Sequence, residues 1–385
     1  MLAPKPDDEI RICGNLRNPN KAHIPDSYQL PQMDEQSEFF AGATVFSMID
    51  LKWGYLQVVL AKECRYLTAM IKPNGLYQWT RVPFGLCAAQ SSFKKIISII
   101  IDGCPRTKKL LDDIILAGVG YGEHDKNLEM VFQKFTEFNA TANASKCSFG
   151  GASVECAGHQ ICKDGVRSLQ FIVEALFKIE PPTNVKEVPT FLSTANYYLR
   201  FVPYFAEIAR PLLEMLKNDA EFYWTDECEH AFDELKREIA SNRVLDHFKV
   251  KSPITVSKDA ACVALGPFLS KLQDIQERAI PFASTALEPN DRAYAVGERE
   301  VFPCIWACDH SHYYLYGMKF TIRTPYSALT PILSKSNKGR KSMRLMRWAD
   351  RLHQYNFKVG YRSGKENNFA DMVSRSVQKL RHTIK

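Results

Sequence analysis

Hydrophobic positions recur with two different periods along the chain and predict a mixture of strands and helices. Short apolar runs at 45–51 and 110–116 are typical of buried strands, whereas 88–101 has the length and spacing of a helix. These segments end at Glu180-Pro181-Pro182-Thr183, where two prolines remove backbone donors and keep the preceding residue out of helical geometry. We therefore expect a first domain over residues 1–180.

The next part of the chain has a helical pattern up to about residue 239. Asn184 and Glu187 have the spacing of a capping box, which predicts a helix from Asn184 with Pro189 in its interior. Thr225 precedes a second helix whose apolar residues fall on one face, namely Phe232, Leu235 and Ile239. The pattern predicts a helical module over 181–249.

Strands and helices alternate again in the last third of the chain. Strands are expected at 254–257 and 320–324, and helices after Glu298 and around 344–354. This pattern predicts a third domain over 250–376, followed by a basic tail at 377–385. Pro267 falls inside an expected strand and Pro303 inside an expected helix, where a proline costs ~3 kcal/mol. We therefore expect a weakened third domain.

Composition and charge limit the classes of protein. The 385 residues are 45% hydrophobic and 24% charged, which excludes disorder as the main state and allows several cores. The net charge is +7, and seven basic residues lie between 335 and 351 with one acid. That run, in which Arg340, Lys341 and Arg344 are candidates, either binds nucleic acid or is a solvated helix face.

Apolar runs and cysteines indicate the compartment. No apolar run approaches the ~18 residues of a membrane span, and the N-terminus does not resemble a signal peptide. We expect an intracellular protein, cytoplasmic or nuclear, with no membrane partner and eleven reduced cysteines. Cys304 and Cys308 stand one helical turn apart, just before His310 and His312. Zinc binding is one interpretation, but the apolar surroundings favour a packed helix face.

Three acidic residues interrupt apolar segments in the first domain. Asp112 and Asp113 separate two apolar runs, which predicts a hairpin with the acids at its tip, although a plain surface turn remains the alternative. Leaving two ionised carboxylates unpaired in an apolar setting costs several kcal/mol each, so a cation is expected. Asp50 lies on the same face of its strand as Phe46 and Met48. A strand acid and an acidic hairpin together suit two Mg²⁺ ions.

Six segments, in order, resemble the signature blocks of reverse transcriptases from gypsy-type LTR retrotransposons. They include Phe-Ser-Met-Ile-Asp-Leu-Lys-Trp-Gly-Tyr, Thr-Arg-Val-Pro-Phe-Gly-Leu and Leu-Leu-Asp-Asp-Ile, and they lie at 46–55, 80–86, 110–114, 157–159, 196–201 and 366–371. The resemblance covers nearly the whole chain. It implies an α+β multidomain fold: a right-hand polymerase with truncated fingers, a palm and a helical thumb and connection, then a ribonuclease H-like domain.

The same resemblance implies an RNA-directed DNA polymerase. Its partners would be an RNA template, a DNA primer, an RNA–DNA hybrid and deoxyribonucleoside triphosphates, and its cofactors two Mg²⁺ ions, with Mn²⁺ as a substitute. Asp50 and Asp112 would hold both metals with the Leu51 carbonyl, and Asp113 would lie nearby. The oligomeric state is left open.

Further residues take roles from the same match. Arg11 would grip the triphosphate, and the ring of Tyr55 would exclude a ribose 2′-hydroxyl unless it is ordinary core packing. Ala157, Gly158 and His159 would form the hairpin that holds the primer end, although a simple turn is the alternative.

The ribonuclease H part departs from the family pattern. Asp259, Glu300 and Asp371 match three of the four expected carboxylates, and Pro325 stands where the fourth should be. We therefore expect impaired ribonuclease H activity. The chain also begins inside the fingers, which suggests a fragment of a longer polyprotein or a decayed copy. The alternative function is a catalytically decayed remnant that still binds nucleic acid.

Overall fold

The protein is described as a computed structural model over most of its length. The described residues are 2–4, 10–12, 14–24, 38–110, 113–216, 222–241, 243–248, 252–257, 264–265, 267–273, 276–287, 291, 293–324, 326, 329 and 342–361. The chain divides into two compact units, Met1–Lys163 and Asp164–Lys385. Within the described ranges, no helix is both long and apolar enough to cross a membrane.

The described residues of the first unit form short strands and several helices. The strands are β1 (Leu2–Pro4), β2 (Ile10–Ile12), β3 (Val45–Asp50), β4 (Met70–Lys72), β5 (Gly75–Tyr77), β6 (Thr107–Leu110), β7 (Asp113–Gly118), β8 (Ser148–Gly151), β9 (Ser153–Cys156) and β10 (His159–Cys162). The helices are α1 (Arg17–Ala22), α2 (Ala89–Ile100) and α3 (Tyr121–Phe138). Strand β3 and helix α2 confirm the predictions at 45–51 and 88–101. The segment 110–116 is divided between β6 and β7, and Asp113, which was predicted at the tip of a hairpin, is the first residue of β7.

A four-stranded antiparallel sheet with the order β6-β7-β3-β8 forms the centre of this unit. Ile49 and Ile114 on the two middle strands are fully buried, and they pack in one core with Phe93 of α2 and Val131 of α3. The apolar stripes of both helices therefore cover one face of the sheet, which holds the C-terminal end of β3 and the start of β7 in a fixed register.

The second unit contains strands β11 (Gly165–Ser168), β12 (Ile254–Ser257), β13 (Ala264–Leu265), β14 (Phe268–Gln273), β15 (Gln276–Phe282), β16 (Thr285–Ala286), β17 (Lys319–Thr324) and β18 (Asn356–Tyr361). Its helices are α4 (Gln170–Phe177), α5 (Val188–Tyr197), α6 (Phe205–Ile208), α7 (Arg210–Glu214), α8 (Asp226–Ala240), α9 (Val296–His310), α10 (His312–Leu315) and α11 (Met343–Leu352). Five strands form a mixed sheet with the order β15-β14-β12-β17-β18, in which β12, β17 and β18 are parallel neighbours.

Cys304 and Cys308 of α9 lie in the core of this mixed sheet. Both are fully buried against Val256 of β12 and Ile322 of β17. The packed helix face favoured by the sequence is therefore what the fold contains. Among the described residues, no group of three or more His, Cys, Asp or Glu side chains is arranged to hold a metal ion.

Helix α8 follows the predicted pattern closely. Thr225 caps its N-terminus by accepting from the Cys228 N–H at 3.3 Å, and the predicted apolar face is buried. The Lys236 ammonium donates to the carbonyls of Phe177 and Ile179 and thereby caps the C-terminal end of α4. Burial of that ammonium lowers the pKa of Lys236.

Two predictions about prolines are wrong, and one is confirmed. Helix α5 begins at Val188 rather than Asn184, so Pro189 lies in the first turn, where no backbone donor is needed. Pro267 lies between β13 and β14 rather than inside a strand, and its carbonyl accepts from the Ala283 N–H at 3.1 Å. Pro303 does lie inside α9, as predicted.

Candidate active site

Two of the three predicted acids lie side by side on neighbouring strands of the central sheet. Asp50 is the last residue of β3, Asp113 is the first of β7, and the two are direct partners in the antiparallel register. Side chains of directly opposed residues have Cβ atoms ~4.5–5.5 Å apart. Like charges at that spacing destabilise the sheet unless a cation lies between them. The pair therefore has the charge and the oxygen donors that a hard divalent cation requires.

Asp112, the third predicted acid, lies outside the described residues together with Leu111. Leu110 and Asp113 form the last described pair between β6 and β7, so these strands are antiparallel neighbours as the hairpin prediction requires. The carboxylates of Asp50 and Asp113 are partly buried and lie at the same end of the central sheet, so they fit a divalent metal.

The chain immediately after Asp50 is held by a second segment, which fixes the backbone near the predicted Leu51 ligand. Leu51 pairs with Ala142, and the Lys52 N–H donates to the Thr141 carbonyl at 2.9 Å. The Leu51 carbonyl accepts from the Gly54 N–H at 3.3 Å. A carbonyl oxygen has two lone pairs, so this bond is compatible with metal coordination by the same atom.

Two cysteine thiols contact the acidic pair, and sequence analysis did not predict them. The Cys156 Sγ lies 3.7 Å from Asp113 Oδ2 and 3.9 Å from the Leu110 carbonyl oxygen. The Cys147 Sγ lies 3.8 Å from the Asp50 carbonyl oxygen. Burial, reinforced by nearby carboxylates, raises the pKa of both thiols, so both stay protonated at neutral pH.

Tyr55 lies in a short 3₁₀ helix after β3 and is partly buried. Its ring centroid is 5.6 Å from that of Phe84 and 5.4 Å from that of Phe93, with tilted and edge-to-face geometry. These contacts hold the ring on the edge of the core and are compatible with either predicted role.

Ala157 and Gly158 form a two-residue turn between β9 and β10. Their φ values are +48° and +73°, and the flanking Cys156 and His159 are paired. A positive φ is unusual for alanine, so the turn keeps a conformation that a non-glycine side chain disfavours. His159 is buried, and its Nδ1 lies 2.7 Å from the Ala157 carbonyl oxygen. The predicted hairpin is therefore present as a tight turn.

The predicted anion-binding residues are described unevenly. Arg11 lies in β2 opposite Ala3, and only its backbone is described. Arg340 and Lys341 lie outside the described residues. Arg344 is engaged within the fold: its guanidinium pairs with Glu298 at 3.2 Å and lies 4.5 Å above the ring of Tyr294. Arg344 therefore has structural contacts that the charge pattern did not predict.

Of the predicted ribonuclease H acids, only Glu300 is described. It lies in α9, is partly buried, and its carbonyl accepts from the Cys304 thiol at 3.7 Å. Asp259, Asp371 and Pro325 lie outside the described residues.

A chain of polar side chains that runs from buried Ser47 on β3 to exposed Asp125 was also missed by sequence analysis. The Ser47 hydroxyl lies 2.7 Å from His124 Nε2, and His124 Nδ1 lies 2.8 Å from Asp125 Oδ1. The Gly150 N–H donates to the same hydroxyl at 3.0 Å, where the register between β3 and β8 shifts. Ser47 is fully buried, so this chain supports the sheet rather than contacting a substrate. Ser47 and His124 are 77 positions apart, and no local pattern indicates the contact.

Two family models match this chain in order. Residues 3–161 match the model described as reverse transcriptase (RNA-dependent DNA polymerase). Residues 224–322 match the RNase H-like domain found in reverse transcriptase. The first match contains both acids of the described pair, and the second contains most of the mixed sheet.

The chain is similar to polyproteins of transposons from two organisms. It is 31% identical over 367 residues to the Retrovirus-related Pol polyprotein from transposon 412 of Drosophila melanogaster, covering 95% of this chain and 29% of that protein. It is 28% identical over 382 residues to the Transposon Tf2-3 polyprotein of Schizosaccharomyces pombe, covering 98% of this chain and 29% of that protein. The chain therefore spans less than a third of the length of these relatives.

Solved structures with the same fold include foamy viral protease-reverse transcriptases. One in complex with dsDNA has a TM-score of 0.83 at 20% identity, covering 94% of this chain and 77% of that chain. Another, in complex with an RNA/DNA hybrid, has a TM-score of 0.78 at 21% identity, covering 94% of this chain and 50% of that chain. At these identities the likeness establishes the fold.

Proposed function

Since the chain belongs to the reverse transcriptase family found in LTR-retrotransposon Pol polyproteins, we propose that it is an RNA-directed DNA polymerase. The observation that carries the proposal is the Asp50–Asp113 pair, which lies where the two central strands β3 and β7 end and begin. Asp112, the other predicted acid, directly precedes Asp113 in the sequence. Two opposed carboxylates in a reverse transcriptase fold suit metal-assisted nucleotidyl transfer better than binding alone.

The proposed cofactor is a pair of Mg²⁺ ions, for which Mn²⁺ can substitute. Asp50 and Asp112 would hold them with the Leu51 carbonyl, and the bound ions would supply Lewis-acid stabilisation of phosphate charge and activation of the primer 3′-hydroxyl. The Ala157–Gly158 turn would orient the primer end, and Arg11 would bind the triphosphate. These residues act by positioning and by neutralising charge.

The proposed partners are an RNA template, a DNA primer, their hybrid and deoxyribonucleoside triphosphates. Related folds have been solved with dsDNA and with an RNA/DNA hybrid, which supports nucleic acid as the partner. The decisive experiment is primer extension by the purified chain on an RNA template with Mg²⁺, with EDTA as the control. Binding of primer–template without extension would favour the alternative function, a nucleic-acid-binding remnant.

We expect Tyr55→Ala to raise ribonucleotide incorporation relative to deoxyribonucleotide incorporation by about tenfold, because it removes the ring that would meet a 2′-hydroxyl. Single-turnover assays with matched triphosphates measure the ratio. Tyr55→Phe keeps the ring on Phe84 and Phe93, so it should leave the ratio unchanged. If Tyr55→Ala lowers both rates equally and leaves the ratio where it was, the ring serves packing alone.

The basic run should contribute electrostatically to binding through Arg340 and Lys341. Replacing both with Ala should flatten the dependence of log affinity on log salt by about 0.9 per lost phosphate contact on a duplex. Arg344→Ala is the matched control, because that guanidinium is already paired with Glu298. Titrations of labelled primer–template at several salt concentrations give the slopes. An unchanged slope in the double variant would mean that the run is only a solvated face.

Ribonuclease H activity should be absent or very weak. Hybrid cleavage needs two metals held by a shared set of carboxylates, and Pro325 has no side-chain oxygen where the family has its fourth acid. Incubation of the chain with labelled RNA–DNA hybrid and Mg²⁺ or Mn²⁺ tests this. Robust hybrid-specific cleavage that Asp259→Asn removes would show that the site is functional despite Pro325.

A further inference from the structure

The Cys156 thiol connects two parts of the proposed polymerase site. Cys156 is the last residue of β9 and directly precedes the Ala157–Gly158 turn. Its Sγ lies within hydrogen-bonding distance of both members of the last described β6–β7 pair, at 3.9 Å from the Leu110 carbonyl oxygen and 3.7 Å from Asp113 Oδ2. One buried side chain therefore spans from the predicted primer turn to the acidic hairpin.

The surroundings of this thiol define the direction of its hydrogen bonds. Cys156 is 3% exposed, and both of its oxygen neighbours are acceptors. A carboxylate and a carbonyl have no hydrogen to donate, so the thiol is the donor in either contact. A thiol is a weak donor, and the negative charge of its Asp113 acceptor strengthens the bond.

Both contacts meet residues that directly flank Leu111 and Asp112 in the sequence. Leu110 precedes Leu111 and Asp112, and Asp113 follows them. The hydrogen bond limits the rotamers of the Asp113 carboxylate, which lies opposite Asp50. Cys156 therefore places a side-chain contact between the strand that leads into the Ala157–Gly158 turn and a carboxylate of the acidic pair.

We propose that Cys156 is a positioning residue for nucleotidyl transfer: its S–H group orients the Asp113 carboxylate and holds the acidic hairpin in register with the Ala157–Gly158 turn. The inference rests on the proposed polymerase function and adds to it a residue that contacts neither the substrate nor the metals. It acts through Asp113 and Leu110. Asp113 lies opposite the proposed metal ligand Asp50 and follows Asp112 in the sequence, and hydrogen bonds outside the set of ligands tune the affinity of a metal site.

The test compares Cys156→Val, which removes the donor at similar volume, with Cys156→Ser, which restores a donor. Cys162→Val is the matched control, because Cys162 is a buried cysteine at the other end of the same β9–β10 hairpin. Mn²⁺ affinity is measured by electron paramagnetic resonance on the full chain. The Mn²⁺ binding that Asp50→Asn abolishes is assigned to the proposed polymerase site. We expect about tenfold weaker Mn²⁺ binding and a similar loss of kcat in Cys156→Val, with KM for the triphosphate unchanged. Cys156→Ser should recover most of both.

A second measurement is independent of catalysis and of metal. The infrared S–H stretching band of Cys156 is isolated as the difference between wild type and Cys156→Ser, and Asp113→Ala should shift it. An unshifted band, or equal losses in Cys156→Val and Cys162→Val, would overturn the positioning role. A wild-type chain that fails to extend primers would instead overturn the proposed function, and the band would still decide whether Cys156 binds Asp113.

Discussion

The substitution Asp50→Asn is expected to lower the rate of primer extension by about a thousandfold or more, while binding of primer–template stays nearly intact. The change removes a charged oxygen donor but little volume. Metal-assisted charge stabilisation contributes several kcal/mol, and each ~1.36 kcal/mol is a factor of ten in rate. Because this variant keeps the backbone pairing of β3 with β7, the loss should appear in the chemical step. Single-turnover extension and fluorescence anisotropy separate the two effects.

Two further variants serve as controls for Asp50→Asn in the extension assay. Asp112→Asn should match Asp50→Asn, since the family resemblance gives both acids the same role. Asp102→Asn removes an exposed acid from the same unit and should leave extension at the wild-type rate. Persistent extension by Asp50→Asn or Asp112→Asn would refute the assignment of the site, and an equal loss in Asp102→Asn would indicate a general effect of charge.

The sequence was sufficient where local chemistry and the fold agree. The apolar runs around Asp112 and Asp113 predicted two antiparallel strands, and β6 and β7 are paired as expected. The apolar face of α8 and its Thr225 cap were predicted for the same reason, because a 3.6-residue period and a capping side chain are both local signals. The sequence also placed Asp50 on a strand. Its position opposite Asp113 follows from the pairing of β3 with β7, which the structure shows.

Contacts between distant residues could not be obtained in this way. Nothing near Cys156 in sequence indicates that its thiol meets Asp113, which is 43 positions earlier. Arg344 belongs to a run of basic residues, yet its contact with Glu298 spans 46 positions and depends on how α11 packs against α9. The positions of Pro189 and Pro267 were misjudged for a related reason. A proline destabilises the interior of a helix or strand but is tolerated in the first turn of a helix or outside a strand. Packing decides where each element begins, so the sequence alone did not show on which side of the boundary these prolines lie.

Lys271→Met is expected to destabilise the second unit by about 3–5 kcal/mol, because it leaves a buried carboxylate without its cation. Lys271 on β14 is 2% exposed, and its ammonium lies 2.9 Å from Asp246 Oδ1, whose side chain is 10% exposed. The same ammonium donates to the His247 carbonyl at 3.0 Å. The ion pair and the hydrogen bond therefore hold the segment that contains Asp246 and His247 against strand β14 of the mixed sheet. Denaturant unfolding of wild type and variant measures the difference.

The double variant Lys271→Met with Asp246→Leu distinguishes a broken ion pair from lost packing. An apolar pair of similar volume is often as stable as a buried ion pair, so the double variant should recover most of the loss. The solvent-exposed counterpart in the same unit is the Arg237–Glu234 pair on α8, where the arginine side chain is 50% exposed. Arg237→Met should cost below about 1 kcal/mol, since solvent screens such a pair. If Lys271→Met costs no more than Arg237→Met, the buried pair does not hold the segment. If the double variant is as unstable as Lys271→Met alone, the loss comes from the lysine's packing and its bond to His247 rather than from an unpaired Asp246.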